Sequence, residues 1–431
     1  MRVDLNHIGK ASEEHFSISL IREEGLWAGG WVEPFDTLNL GDYFFILSDA
    51  KTNYPLFSRG FNSSFEGDEK WVVSKDCIRF PFPKRSVLLS IRKRNKNNIG
   101  FYEVCNEIID PASPAIDHSS LSLRATSSVI FENGDPENKV DIVILGDGYT
   151  ISEKAKFLLD AEKATNYLFS VSPYKENKLS FNVRCVFVPS EISGITSPLD
   201  NKWPNPVFGS SYNSHNIERE IDLSNTQPMR DAAAIVPYDF IIILVNSNRY
   251  GGIGIYNQYS IAAIDSKWAK YLVVHEFGHN FAGLDDEYYT LAKCTQSEKP
   301  EPWEPNISSN SKDGLKWRNL VTSNTPIPTS WNKEKYEAFD QDFANKYFRL
   351  REEKAPEVTI DSLIEKTLPQ AIEILQKGGY SSNVGAFEGA SGEACGLFRS
   401  QINCTMFMLI PDKFCAACTE AIKRMIKFYT H

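Results

Sequence analysis

Two histidines and a glutamate stand at metal-site spacing in the stretch HEFGH (275–279). Positions four residues apart on a helix lie on one face, so His275 and His279 can direct their imidazoles at one point. Glu276 would project near that point without ligating, where it can act as general base on a zinc-bound water. Two imidazoles and a carboxylate suit tetrahedral zinc. The stretch therefore predicts a zinc site with Glu276 as its catalytic residue.

A structural alternative exists, because HExxH has only three fixed positions and arises by chance in many proteins. The neighbouring residues favour a metal. Val273, Val274, Phe277 and Phe281 are apolar, which predicts a helix buried beside a sheet. Two histidines and a glutamate buried there without a metal would be costly in free energy.

The third ligand is expected in GLDDEYY (283–289), directly after the helix. Gly283 suits the left-handed turn that ends a helix, so the chain can double back beneath the metal. Histidine is disfavoured as the third ligand, since His431 is the only histidine further along the chain, whereas this stretch contains several carboxylates. The sequence therefore predicts a carboxylate ligand.

Spacing favours Asp285 as that ligand. It stands six residues after His279, which is the spacing of the third histidine in the metzincin pattern HExxHxxGxxH. The metzincin glycine would fall on Ala282, whereas the glycine here is Gly283. Because this offset can displace the turn, three alternatives stay open: Asp286, Glu287 or a distant glutamate.

Methionines and cysteines cluster near the end of the chain. Metzincins carry a methionine on a tight turn below the metal, and SQINCTMFML (400–409) offers Met406 and Met408. Core packing is an equal explanation for either methionine. CAAC (415–418) has the spacing of a redox pair or of half a structural zinc site, but the chain has no second CxxC. The eight cysteines also permit disulfides.

The chain changes character near residue 120. Its first 110 residues contain short apolar or alternating runs between turn-forming stretches, which predict a small β-sandwich or jelly roll. The runs are YFFILSD (43–49), YPLFSRGF (54–61) and VLLSIRKR (87–94). DPASPAIDHSS (110–120) predicts a linker. We therefore expect a β-rich domain over residues 1–120 and a catalytic domain over residues 121–431.

Strands alternate with helices in the second part, which indicates an α/β domain. Beside the HEFGH helix, we expect strands at 140–146, 181–188 and 238–246, and helices at 150–169, 359–377 and 416–429. The stretch 258–265 is expected to be an edge strand. Before it, Tyr250, Gly251 and Gly252 are candidate substrate-binding residues, whose glycines would allow close backbone approach. A plain hairpin turn is the alternative for these glycines.

The composition of the 431 residues is that of a soluble globular protein, with 42% hydrophobic and 24% charged residues. A net charge of −10 argues against a nucleic-acid partner. The longest apolar run, FIIILV (240–245), is far shorter than the roughly 18 residues of a membrane span. No signal-peptide pattern opens the chain. The protein is therefore either cytosolic or a chain that has lost a leader, and in the second case it would be secreted, periplasmic or on the cell surface.

With these pieces in place, the chain resembles the IgA-peptidase family of secreted bacterial zinc metallopeptidases. The similar segments follow the family's order over nearly the whole chain. They are VDIVILGDGYT (140–150), LVNSNRYGGIGIYN (244–257), HEFGHNFAGLDDEYY (275–289), WRNL…TPIPTSW (317–331), VGAFEGA (384–390) and FRSQINCTM (398–406).

The resemblance implies a metzincin-like α/β zinc-peptidase domain that follows an amino-terminal β-sandwich-like domain. It also implies a role for each residue that matches the family's motifs. His275, His279 and Asp285 would be the zinc ligands, Glu276 the general base, and Met406 the residue of the methionine turn.

These observations predict a monomeric zinc-dependent endopeptidase that cuts exposed segments of proteins or glycoproteins. A substrate peptide would lie extended along the edge strand near 250–264. One alternative is a protein- or glycan-binding protein with an inactive or structural zinc domain, and another is a zinc amidase or deacetylase. A structural zinc site is usually closed by four protein ligands. Only three are identified here and Glu276 is retained, which favours catalysis.

Overall fold

The computed structural model describes residues 1–30, 33–65, 70–119, 121, 123–291, 294, 299–309, 314–410 and 412–430. They form a mixed α and β fold with several sheets and six α-helices in that described part. The chain divides into two compact units. The first comprises Met1–Ser170, Tyr174–Gly283 and Lys423–His431, and the second comprises Val171–Pro173 and Leu284–Ile422.

The first seven strands belong to the first unit and form two antiparallel sheets. They are β1 (Arg2–Lys10), β2 (Glu13–Arg22), β3 (Tyr43–Asp49), β4 (Pro55–Phe61), β5 (Val72–Arg79), β6 (Val87–Arg94) and β7 (Phe101–Ile109). The sheet orders are β2-β1-β5 and β4-β3-β6-β7. Side chains from both sheets, among them Leu5, Phe45 and Leu89, form one apolar core, as expected for a sandwich-like domain.

The same unit contains a six-stranded sheet and a small two-stranded ribbon. Its strands are β8 (Thr126–Phe131), β9 (Val140–Asp147), β10 (Phe181–Phe187), β11 (Ser210–Tyr212), β12 (Ile221–Leu223), β13 (Phe240–Val245), β14 (Gly252–Ile255) and β15 (Tyr259–Ala263). The large sheet has the order β14-β15-β13-β9-β10-β8, and β11 pairs with β12. Strands β9, β10, β13 and β15 are parallel and β8 and β14 antiparallel. The strands predicted at 140–146, 181–188 and 238–246 are confirmed.

Hydrogen bonds tie the amino-terminal sheets to the loops of the large sheet within this unit. The Asn257 side chain donates to the Gly60 carbonyl at 2.8 Å, and the Gln258 side chain donates to the Cys77 carbonyl at 3.0 Å. The division expected between residues 120 and 121 stays a prediction.

The prediction that 258–265 forms an edge strand is wrong, because β15 lies inside the sheet between β14 and β13. Ile261 stands opposite Ile253 on one side and Ile243 on the other. The edge strand is β14, within the glycine-rich stretch itself. The hairpin turn follows β14, where Asn257 has a φ of 55°, so Gly252 and Gly254 belong to a strand and not to a turn, and Gly251 directly precedes that strand.

The six described helices are α1 (Lys154–Leu168), α2 (Thr226–Ala233), α3 (Ala269–Ala282), α4 (Lys333–Glu352), α5 (Glu357–Gln376) and α6 (Ala416–Tyr429). The helices predicted at 150–169, 359–377 and 416–429 correspond to α1, α5 and α6. A capping box precedes α1, since the Thr150 N–H donates to the Glu153 carboxylate at 2.8 Å. Among these described helices, none has the length and apolar character needed to cross a membrane.

The second unit contains a three-stranded sheet with helices α4 and α5. Its strands are β16 (Tyr289–Thr290), β17 (Phe387–Ala390) and β18 (Gly392–Arg399), in the order β16-β18-β17. A disulfide joins Cys294 to Cys395 on β18. The sheet and the disulfide therefore hold the segment that follows the HEFGH helix against the FRSQINCTM region of the sequence.

Candidate active site

Helix α3 carries the HEFGH stretch and is buried nearly all round, which is typical of a helix in the interior of a domain. Phe277 and Phe281 stack on each other with ring centroids 5.2 Å apart. Phe281 also meets Phe240 of β13 edge to face, with centroids 4.9 Å apart. The helix ends as predicted, with Gly283 at a φ of 59° and its N–H bonded to the carbonyls of Gly278 and His279.

The two histidines converge on one point. The Nε2 atoms of His275 and His279 lie 3.1 Å apart, and His275 is only 4% exposed. Zinc–nitrogen bonds of about 2.0–2.1 Å in tetrahedral geometry place two imidazole nitrogens about 3.3 Å apart. The observed separation therefore fits two imidazoles that share one ion.

Tyr271, one turn before His275, is a site residue that the sequence did not reveal. Its hydroxyl lies 3.1 Å from Nδ1 of His275, and the two rings stack with centroids 4.8 Å apart. A partner on Nδ1 orients the imidazole and leaves Nε2 to a metal. The signal was present, because tyrosine and histidine stand four residues apart on one helix.

The carboxylate of Asp286 is grouped with the two histidines as a possible ligand. The ligand atoms of His275, His279 and Asp286 all lie within 4.8 Å of one another. Asp285, the ligand expected from spacing, is not in this group. Its carboxylate accepts a hydrogen bond from the Asp286 N–H at 2.8 Å.

The offset of the glycine explains this difference. In the metzincin pattern the glycine stands three residues after the second histidine, whereas Gly283 stands four residues after His279. The carboxylate grouped with the histidines is displaced by one residue in the same direction, from Asp285 to Asp286, and the identity of the third ligand stays a prediction. Glu287, another alternative, is fully buried elsewhere.

Glu276 faces the edge strand β14 and is 9% exposed. A Cβ atom added at Gly252 would lie 3.0 Å from Oε1 and Cγ of Glu276, and one at Gly254 would lie 2.2 Å from the Glu276 carbonyl oxygen. Ordinary side chains at these two positions would collide with the helix. The geometry supports close backbone approach as the reason for these glycines.

The other two candidate substrate-binding residues have different surroundings. Gly251 packs against Tyr212, whose ring would lie 2.5 Å from an added Cβ atom. Tyr250 is partly exposed. Substrate contact by Tyr250, Gly251 and Gly252 stays a prediction.

Met406 lies fully buried on a tight turn. The N–H groups of Phe407 and Met408 donate to the Cys404 carbonyl at 3.0 and 3.1 Å, and the Met406 carbonyl accepts from the Glu287 N–H at 2.7 Å. This bond ties the methionine turn to the residue that follows Asp286. A role for Met406 beneath the metal stays a prediction.

A second group of candidate ligands surrounds Glu287. The ligand atoms of Glu287, Cys404, Cys415 and Cys418 lie within 4.8 Å of one another, and all four residues are buried. Burial, and then the neighbouring Cys415 sulfur, raises the pKa of the Glu287 carboxyl well above its ordinary value. The sequence pointed to CAAC but not to the other two members.

Two family models match the chain. Residues 1–102 match the model described as Peptidase M64 N-terminus, and residues 129–426 match the model described as IgA Peptidase M64. The second match alone covers more than half of the chain. No curated protein matches the sequence.

Replacing Tyr271 with phenylalanine should weaken zinc binding at the histidine pair by roughly 10–100-fold, the usual cost of losing the partner of a ligating histidine. The ring stack on His275 remains, so the change isolates the hydroxyl. Zinc dissociation constants from competition with a chelator provide the measurement. Tyr102→Phe, at an exposed position on β7, is the matched control, and equal constants for the two variants would rule out the role of the hydroxyl.

Gly252→Ala should lower peptide turnover by about 100-fold, the cost of a misplacement of about 1 Å in a catalytic group. The added methyl group would lie 2.6 Å from the Ile261 carbonyl oxygen and 3.0 Å from Cγ and Oε1 of Glu276, so that both the strand and the carboxylate must shift, whereas zinc binding by the histidine pair should not change. Turnover number and zinc content are measured on the same sample. Gly379→Ala is the control, because a Cβ atom there meets nothing within 4 Å. Full activity in Gly252→Ala would show that Glu276 does not depend on this contact.

Proposed function

This chain belongs to the IgA peptidase M64 family, and from that membership and the geometry of α3 we propose that it is a zinc-dependent endopeptidase. Membership of a peptidase family implies peptidase activity and a protein substrate. The metal, the mechanism and the type of bond cut are the parts that we propose. One observation carries them: the Nε2 atoms of His275 and His279 are 3.1 Å apart in a buried helix.

Zinc fits the residues that are present. We assign His275, His279 and Asp286 as its ligands, because their ligand atoms are grouped within 4.8 Å and two imidazoles with a carboxylate are a common catalytic zinc set. In this assignment Asp286 is the third ligand, in place of Asp285. Three protein ligands leave a fourth position for water or substrate, whereas structural zinc sites are closed by four. This difference favours catalysis over a purely structural role.

A zinc ion held there supplies Lewis acidity, which polarises a scissile carbonyl and makes water more acidic. The chain's own residues supply the proton transfer and the orientation. Glu276 accepts the proton of the attacking water and then donates it to the leaving nitrogen. Gly252 lets β14 lie against the Glu276 carboxylate, and Tyr271 orients His275 through Nδ1.

The edge strand β14 offers a place for an extended peptide. The Gly252 N–H points away from β15 and donates a hydrogen bond to the Arg219 carbonyl oxygen at 3.2 Å. Backbone groups on a strand point to alternate sides, so those of Gly254 face the same outer side. A peptide that pairs there as an added strand would pass directly beside α3. This requirement favours internal bonds of exposed, unpaired segments, as in a secreted or cell-surface peptidase that cuts linkers.

The methionine turn belongs to the same proposal. We describe the proposed site as metzincin-like for three reasons. The helix that carries the histidines is buried and ends in a left-handed glycine, the proposed carboxylate ligand follows directly, and a buried methionine lies on a tight turn. In this assignment Met406 packs beneath the metal ligands and takes no part in the reaction.

The choice between neighbouring aspartates is directly testable. Asp286→Ala should weaken zinc binding by more than the roughly 10–100-fold that losing an outer-shell partner costs, and Asp285→Ala by no more than that. The reason is that Asp286 would ligate, whereas the Asp285 carboxylate accepts a backbone hydrogen bond. Chelator competition on the two variants gives both constants, and the reverse ranking would return the third ligand to Asp285.

The peptidase mechanism is tested by Glu276→Gln against multidomain glycoproteins, including immunoglobulins, offered intact and unfolded. Turnover should fall by at least about 100-fold, because general acid–base catalysis contributes 10²–10⁴-fold, whereas zinc content should not change. The control is Glu162→Gln, at an exposed position of α1. Wild-type cuts should fall in linkers between folded domains. Loss of zinc in Glu276→Gln would show that this residue is a ligand, and release of single terminal residues would indicate an exopeptidase.

A further inference from the structure

Four metal-binding side chains in the second unit converge apart from the HEFGH helix. Glu287, Cys404, Cys415 and Cys418 are all fully buried. Oε1 of Glu287 lies 3.1 Å from Sγ of Cys415 and 3.2 Å from Sγ of Cys418. The Sγ atoms of Cys404 and Cys418 lie 3.8 Å apart. Zinc–sulfur bonds of about 2.3 Å in tetrahedral geometry place two sulfurs about 3.8 Å apart, so the spacing fits a shared ion.

Backbone donors point at two of the three sulfurs. The N–H groups of Met406 and Cys415 donate to Sγ of Cys404 at 3.4 and 3.2 Å, and the Cys418 N–H donates to Sγ of Cys415 at 3.4 Å. Hydrogen bonds to sulfur favour the thiolate form, which is the form that binds metals. Cys415 and Cys418 also flank the first residues of the 14-residue helix α6, where the helix dipole favours negative charge.

The carboxylate has one oxygen without a partner. Oε1 of Glu287 accepts from the Asn306 side chain at 3.2 Å, whereas its fully buried Oε2 makes no hydrogen bond. An unpaired buried carboxylate oxygen is costly in free energy unless a cation binds it. The charge of Arg399, also fully buried, interacts with that of Glu287 and would offset part of the negative charge of a thiolate-rich site.

We propose that Glu287, Cys404, Cys415 and Cys418 bind a second zinc ion, whose role is structural. Four protein ligands close the coordination shell and leave no position for water. The ion would join three segments that are distant in the sequence: the loop after α3, the methionine turn and the start of α6. It would therefore hold the loop that carries Asp286 against the turn that carries Met406, beside the 2.7 Å bond from the Glu287 N–H to the Met406 carbonyl.

The competing arrangement is a disulfide among the three cysteines. Cys404, Cys415 and Cys418 are free thiols, whereas Cys294 and Cys395 of the same unit are bonded to each other. A disulfide would use two of the sulfurs and leave Glu287 beside a single thiol, with Oε2 still without a partner. Zinc satisfies all four groups together.

Elemental analysis of the full chain, purified without chelators, distinguishes these arrangements. Wild-type protein should contain two zinc ions per chain and His279→Ala one. X-ray absorption on His279→Ala should then show sulfur scatterers at about 2.3 Å around the remaining zinc. The double variant Cys404→Ser/Cys418→Ser should also keep one zinc, without sulfur ligands, and unfold at a lower temperature. The matched control is Cys185→Ser, which changes a buried cysteine on β10 and should keep two.

Two results would overturn the second site. One is a single zinc ion in the wild-type chain that disappears in His279→Ala. The other is a disulfide among Cys404, Cys415 and Cys418, found by mass spectrometry after alkylation without reduction. The His279→Ala measurement needs no cysteine variant to fold. If the wild-type chain holds only one zinc, bound by sulfur, and His279→Ala keeps it, the second site is supported and the catalytic zinc is contradicted, so the two proposals fail separately.

Discussion

The convergence of His275 and His279 is the interaction on which the candidate site depends. Two imidazole nitrogens lie 3.1 Å apart in a buried helix, a separation that suits two imidazoles bound to one ion. The apolar side of α3 fixes the helix on the sheet through Phe277 and Phe281. Tyr271 holds one ring, and the left-handed Gly283 ends the helix where a carboxylate can follow.

The second constraint is the approach of the edge strand β14 to α3. Gly252 and Gly254 leave no space for a side chain between strand and helix, so Glu276, the proposed general base, lies next to the backbone that would pair with a peptide. In the proposed mechanism this arrangement would couple substrate binding to proton transfer through one strand. It also explains why a glycine-rich stretch forms an edge strand, where glycine is otherwise unfavourable for strand stability.

Local patterns predicted the local features of the fold. The strands β9, β10 and β13, the helix α3, its end at Gly283 and the convergence of the two histidines all follow from periodicity and spacing. The proposed choice of Asp286 over Asp285 depends on where a turn falls, which spacing alone fixes only to within a few residues. The interior position of β15 and the contact of Glu287 with Cys415, 128 residues apart, depend on tertiary packing, which no short pattern encodes.

The most direct measurement is cleavage of a diverse peptide library, with products identified by mass spectrometry, for three preparations: zinc-loaded, chelator-stripped and zinc-restored protein. A metal-dependent endopeptidase should cut internal peptide bonds when loaded, lose that activity when stripped and recover it when zinc returns. Each cut should have several residues of extended peptide on both sides, because the substrate pairs with an edge strand. Cleavage that persists after complete removal of the metal would contradict the assignment of His275, His279 and Asp286 as a catalytic metal site.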